Sequence, residues 1–201
     1  MTVKRKPIKR RRMRWHAVID RIPVDRAIRG VEVGVWRGAT SSELLKAREL
    51  LRLELVDPYR KGDPDSPWYL SGSKMPAYDQ KLYDDAYALA QKATAFAADR
   101  ATFHLSSGVA AAQSFTDHSF HFVFVDGDHS YEGAVEDLVA WTSKVEVCGW
   151  IGGHDYDKPH VGQVTEAVRD CFPGAEIETD SDSTWFLRVA PDLQVVDPRT
   201  P

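Results

Sequence analysis

At 201 residues, with 43% hydrophobic and 28% charged positions, the chain is long enough to bury one substantial core and too evenly polar for a membrane-embedded fold. No apolar run approaches the roughly 18 residues that a transmembrane helix needs. The N-terminus is basic and lacks the apolar stretch of a secretory signal, and Cys148 and Cys171 are the only cysteines. The expected setting is therefore the reducing cytoplasm, with no membrane partner.

Charge is unevenly spread. Eight of the first fourteen residues are Lys or Arg with no acid among them, and the remaining body carries a net charge of about −12. Such a block reads as a solvated, disordered arm over 1–14, ahead of a single domain over 15–201. The competing reading is a contact with nucleic acid or another anionic partner.

Strand and helix patterns then alternate. Gly30 to Gly34 is a short apolar strand, and Thr40-Ser-Ser-Glu43 has the spacing of a capping box opening a helix to about Leu51. Leu53 to Val56 is a second strand ending at Asp57. Pro58 to Pro76 is rich in proline, glycine and aromatics and reads as a long loop suited to covering a ligand. From Tyr78 a helix places Leu82, Ala86, Leu89, Ala93 and Phe96 on one face.

Thr102 to Leu105 is the third strand, followed by a short Ala-rich helix over Gly108 to Phe115. Phe120 to Val125 is a fourth strand apolar enough to be covered on both faces. A helix from Tyr131 to about Val145 carries Ala134, Leu138 and Trp141 on one side. Val147 to Gly152 is the fifth strand, and Val164, Ala167, Val168, Cys171 and Phe172 trace a last helical face. Ala175 to Thr179 and Thr184 to Val189 pair as a closing hairpin. Five βα units and a hairpin make an α/β sandwich with an open sheet.

Ligand crevices in such sheets lie beyond the carboxyl ends of the strands. Three exits carry chemistry. The first is the turn Gly34-x-x-x-Gly38, where a dinucleotide fold would need glycine at Trp36 so that the backbone could approach a pyrophosphate. An indole there suits a nucleoside without a diphosphate. Glu32 within the strand and Asp57 at the end of the next strand are what a cationic ligand with a ribose diol would use. The other exits are Asp126-Gly-Asp-His-Ser-Tyr-Glu132 and Gly149-Trp-Ile-Gly-Gly-His-Asp-Tyr156, which put Asp and His at adjacent strand ends.

Together with Asp137-Leu138 and Trp141, these motifs resemble the class I S-adenosylmethionine-dependent methyltransferases. Within that family they are most similar to a bacterial and phage group akin to the macrocin-type sugar O-methyltransferases. The resemblance covers about residues 28–190. It implies a Rossmann-like, doubly wound sheet of seven strands, mostly parallel with a reversed last strand, and helices on both faces. By position it implies that Glu32, Gly34 and Gly38 contact the methionine end of the cofactor, Asp57 the ribose, and Ser106 and Ser107 the adenine region. Ser106 stands where family members often carry an acid.

The same resemblance implies a divalent metal, Mg or Mn, held by Asp126, His154 and Asp155. Histidine there replaces an oxygen ligand, and two neighbours of an extended strand reach one ion only if the chain turns near Gly153. The alternative is that Asp126 and Asp155 hydrogen-bond loop amides. His129, with an unperturbed pKa of about 6.5, suits the removal of a proton from a hydroxyl near Asp126.

The reading is therefore S-adenosylmethionine-dependent methyl transfer to a hydroxyl of a small molecule such as a sugar. A nucleic-acid-associated methyltransferase using the basic arm and a non-catalytic binding module on the same fold are the alternatives, and self-association is left open.

Overall fold

The computed structural model describes residues 12–66, 77–158 and 163–200. In chain order the elements are α1 (Arg14–Ile19), β1 (Ile28–Val33), α2 (Ala39–Ala47), β2 (Leu51–Val56), α3 (Gln80–Thr94), β3 (Ala101–His104), α4 (Gly108–Ala112), β4 (Phe120–Val125), α5 (Tyr131–Thr142), β5 (Val145–Gly153), α6 (Val164–Cys171), β6 (Glu178–Asp180) and β7 (Thr184–Arg188). They form a seven-stranded sheet of order β3-β2-β1-β4-β5-β7-β6. The first five strands pair in parallel, and β7 lies antiparallel between β5 and β6. The order reverses between β1 and β4, so a crevice opens there at the strand exits.

Alternation along the strands fills a layer on each side of the sheet. On β4, Phe122 and Phe124 pack with α1, α2 and α3, while Phe120 and Val123 face α5 and α6. A register shift against β5 between Phe120 and Phe122 accompanies this arrangement. Trp141 and Leu138, both fully buried, anchor α5 against the second layer. No described helix is long and apolar enough to cross a membrane.

The structure departs from the sequence reading at three helices. Arg14 opens α1, whose Ala17 and Val18 are buried beside α2, so the last residue assigned to the arm belongs to a packed helix. Residues 1–11 lie outside the described part. At α2 the capping box does not form: the N-cap is Gly38 in the left-handed region (φ 72°), and Thr40, Ser41 and Ser42 are buried inside the helix. On α3 the buried face is Tyr83, Ala86 and Ala90, leaving Leu89 45% exposed, and Phe96, expected on the same helix, lies beyond its end and is 50% exposed. Small residues win because α3 meets the chain at Gly38, where a Cβ would lie 3.0 Å from the Ala90 Cα. Larger side chains there would force the elements apart.

Candidate active site

The turn after β1 brings two strand exits together. A Cβ on Gly34 (φ 87°) would stand 2.1 Å from the Asp126 carbonyl oxygen, so only glycine lets the ends of β1 and β4 approach this closely. Asp57 organises the same turn. Its Oδ2 accepts from the amides of Val35 (3.1 Å) and Trp36 (2.9 Å), and its Oδ1 from that of Tyr59 (2.8 Å). Burial nevertheless raises its pKa against these three bonds.

Glu32 is 1% exposed, with the Ser41 hydroxyl donating to its Oε2. Burial, partly offset by that bond and reinforced by the charge of Asp126, lifts the carboxyl to about 8. The folded state thus holds this proton more tightly than the unfolded chain, and stability is lost as pH rises from about 4.5 towards 8. Glu32→Gln should shrink the fall in the denaturant midpoint across that range; an unchanged slope would show that Glu32 is not buried as a neutral acid.

The strand exits open onto a cleft of about 790 Å³. Gly34, Asp57, Ser107 and Asp126 line it, and Trp36 closes one side. Pro58, Arg60, Lys61 and Asp63 form another wall, which is the described part of the long loop. Glu32 and Gly38 are not among the lining residues: Glu32 lies under the surface and Gly38 packs on α3. Ser106 also stays outside the lining, and Ser107 N-caps α4, accepting from the Ala110 amide at 3.3 Å.

Beside the cleft, the exits of β4 and β5 assemble a charged cluster. The required turn of the chain is made at Asp155, which has φ 59°, just beyond Gly153. Ligand atoms of Asp126, His154 and Asp155 all lie within 4.8 Å of one another. His154 Nδ1 is 2.9 Å from Asp155 Oδ1 and 3.4 Å from Asp126 Oδ1. His129 sits between the same acids, Nε2 at 3.5 Å from Asp126 Oδ1 and Nδ1 at 3.3 Å from Asp155 Oδ2.

Three residues of this cluster went unassigned in the sequence reading. Arg14 Nη1 donates to Asp126 Oδ2, and Lys158 Nζ is 2.8 Å from Asp155 Oδ1. Asp182, in the turn between β6 and β7, lies 3.6 Å from Arg14 Nε and 3.9 Å from His154 Nε2. The apolar spacing of Ala17, Val18 and Ile22 behind Arg14 was the available signal for α1; Asp182 looked like ordinary turn chemistry. The alternative in which the two acids hold loop amides is not what the structure shows. Among the described residues no backbone amide donates to the Asp126 or Asp155 side chain; cationic and imidazole groups face them instead.

Electrostatics follow from this packing. Burial works to raise Asp126, but His129, His154 and Arg14 prevail and hold it at about 2. Asp155 is lowered in the same way, by His154 and Lys158 against burial. Burial favours neutral imidazoles at His129 and His154, yet the facing carboxylates raise both. His129 Nε2 and His154 Nδ1 are buried from solvent without a well-directed hydrogen bond, although each stands within 3.5 Å of a facing carboxylate oxygen. Such a set of oxygen and nitrogen donors fits a divalent cation.

The family profile described as "Methyltransferase domain" matches residues 31–156. No curated protein sequence matches the chain. Among solved structures, a Corynebacterium glutamicum protein aligns with a TM-score of 0.59 at 14% identity, over 89% of this chain and 79% of its own. A Thermotoga maritima S-adenosylmethionine-dependent O-methyltransferase aligns with a TM-score of 0.59 at 9% identity, over 88% of this chain and 64% of its own. An O-methyltransferase family protein of Burkholderia thailandensis gives 0.55 at 14%, over 88% and 55%. These likenesses are of fold, with the topology described above, whereas the profile runs from within β1 through Asp126, His129, His154 and Asp155. The chain belongs to the methyltransferase-domain family.

Proposed function

We propose that the protein transfers the methyl group of S-adenosylmethionine to a hydroxyl of a small molecule, a sugar or related acceptor, with help from a divalent cation. The observation that carries this reading is a cleft of about 790 Å³ whose lining includes Asp126, the carboxylate around which His129, His154 and Asp155 gather. Asp57 stands at the cleft wall where a ribose diol would donate, and the Trp36 indole lines the same wall where a dinucleotide fold would need glycine. An ammonium or sulfonium arriving above Glu32 would draw the proton off that buried acid, so binding stores favourable charge pairing inside the protein.

In the reaction the acceptor oxygen forms a bond to the methyl carbon as the carbon–sulfur bond breaks. The sulfur keeps the bonding electrons, and the hydroxyl proton leaves to a base. When bound by Asp126, His154 and Asp155, a divalent cation would supply Lewis acidity that lowers the pKa of the acceptor hydroxyl. Asp126 and Asp155 hold His129 between them beside that hydroxyl, and His129 receives the proton. Arg14 and Lys158 neutralise the same carboxylates, so they compete with an entering cation.

Labelled methyl-S-adenosylmethionine offered with sugars, catechols and oligonucleotides in the presence of Mn or Mg should place label on a hydroxylated small molecule. Label appearing only on oligonucleotides would overturn the acceptor class. Removal of residues 1–11 should leave small-molecule turnover within about twofold, because the residues described at the cleft and the cluster all lie from Arg14 onward. A loss of turnover on that truncation would contradict the proposal.

A further inference from the structure

Two permanent cations form the outer layer of the charged cluster. Arg14 Nη1 donates to Asp126 Oδ2, and Lys158 Nζ stands 2.8 Å from Asp155 Oδ1 and 3.5 Å from His154 Nε2. The carboxylates they face have side-chain exposures of only 11% and 6%, whereas Arg14 keeps 28% and Lys158 33%. From solvent, the guanidinium and the ammonium are therefore reached before the acids. Asp182 links the two: its Oδ2 lies 3.6 Å from Arg14 Nε and 3.9 Å from His154 Nε2, the same nitrogen that Lys158 approaches. Arg14 also has donors to spare, since among the described residues its Nη2 meets no acceptor.

Charge balance gives the sign of what fits against this layer. Three carboxylates, Asp126, Asp155 and Asp182, face the two cations, an excess of one negative charge before the imidazoles are counted. Once Asp126 and Asp155 serve a divalent cation together with His154, that excess becomes one positive charge. The sulfonium of the cofactor is answered by Glu32 below and leaves the count unchanged. Arg14 and Lys158 then lose the carboxylates that neutralised them while remaining mostly out of solvent, and a partly buried charge deprived of its partner is costly. Asp182 alone is left to serve both.

Resting on the methyl-transfer reading above, its cation included, we propose that the acceptor is itself an acid: a small molecule with a carboxylate or phosphate near the hydroxyl that is methylated, the anion gripped by Arg14 and Lys158 while the hydroxyl reaches His129. Asp182 keeps Arg14 Nε, which leaves the two Nη groups as a fork for an anion. Guanidinium pairs with carboxylate and phosphate in this two-donor manner, and the ammonium adds a point charge beside it. A uronic acid and a sugar phosphate both meet the description. A neutral sugar leaves both cations unpaired at the moment the cluster is loaded.

Calorimetry on the full chain, saturated with Mg and S-adenosylhomocysteine, tests this with matched acceptors: glucose against glucuronate and glucose 6-phosphate, and catechol against 3,4-dihydroxybenzoate. In at least one series the anionic member should bind at least about tenfold more tightly than its neutral parent, the value of one charge-assisted hydrogen bond. Glucuronate and glucose 6-phosphate tell carboxylate from phosphate. Arg14→Ala and Lys158→Ala should each bring the preference below about threefold, and Arg14→Lys, which keeps the charge and loses the fork, should retain part of it. Should Arg14→Ala fail to fold, Lys158→Ala decides. Equal binding of neutral and anionic members, binding of none of them, or a preference that survives in the folded variants would overturn the inference with the cofactor reading intact. No binding of S-adenosylhomocysteine or of Mg to the unaltered chain would overturn that reading and the inference with it.

Discussion

Asp57→Ala is expected to weaken S-adenosylmethionine binding by more than about 100-fold and to lower stability by about 3 kcal/mol, the cost of stranding several donors at once. The side chain holds three backbone amides, from Val35, Trp36 and Tyr59, before any ligand is considered. Removing it therefore loosens the glycine turn as well as the proposed ribose contact. For a domain of this size that loss corresponds to a melting point about 6 to 12 °C lower. Asp57→Asn separates the two roles. Its single carbonyl oxygen can keep the Val35 and Trp36 bonds while its amide group opposes the Tyr59 amide. Stability should then fall by about 1 kcal/mol, with most of the affinity still lost. Melting and binding that both match the unaltered chain in Asp57→Ala would remove Asp57 from the account.

Asp155→Ala is expected to reduce methyl transfer by at least about 100-fold, the scale seen when a group that stabilises or deprotonates the reacting centre is removed. Chelation should lower activity of the unaltered protein and Mn or Mg restore it, whereas neither should restore the variant. The substitution also frees Lys158 and one side of His129, so a melting curve must accompany the assay. Arg14→Ala tests the competition from the other side. Without the guanidinium on Asp126, the carboxylate is open to a cation, and Mn should bind about tenfold more tightly by titration. Full turnover in excess chelator, with Mn affinity indifferent to Arg14, would leave the cluster as an ion-pair network.

Periodic apolar runs were the legible part of this chain. Phe120 to Val125 reads as a doubly covered strand because every position is buried or nearly so, and the hairpin closing the sheet follows from two β-rich runs around a polar turn. The pairing of the Asp-His clusters was legible because each ends a strand, and parallel neighbours bring such ends together. Helix faces were read less well. On α3, Leu89 looked like core by hydrophobicity, as did Phe96 just beyond it, whereas the packing against Gly38 selected Ala90 by size. Long-range pairs left no local mark at all. Nothing near Arg14 in the sequence indicates Asp126, 112 positions away, and its place within a basic run pointed to solvent instead. The three amides on Asp57 are likewise products of the assembled turn.

The claim on which the rest depends is that the cleft between the β1 and β4 exits accepts a sulfonium nucleoside and not a dinucleotide. Titrating the unaltered chain calorimetrically with S-adenosylmethionine, and separately with NAD, addresses it without needing the acceptor. Binding of S-adenosylmethionine with a dissociation constant of about micromolar order, a free energy of about −8 kcal/mol, and no heat with NAD is the predicted result. Micromolar binding of NAD with none of S-adenosylmethionine would contradict it.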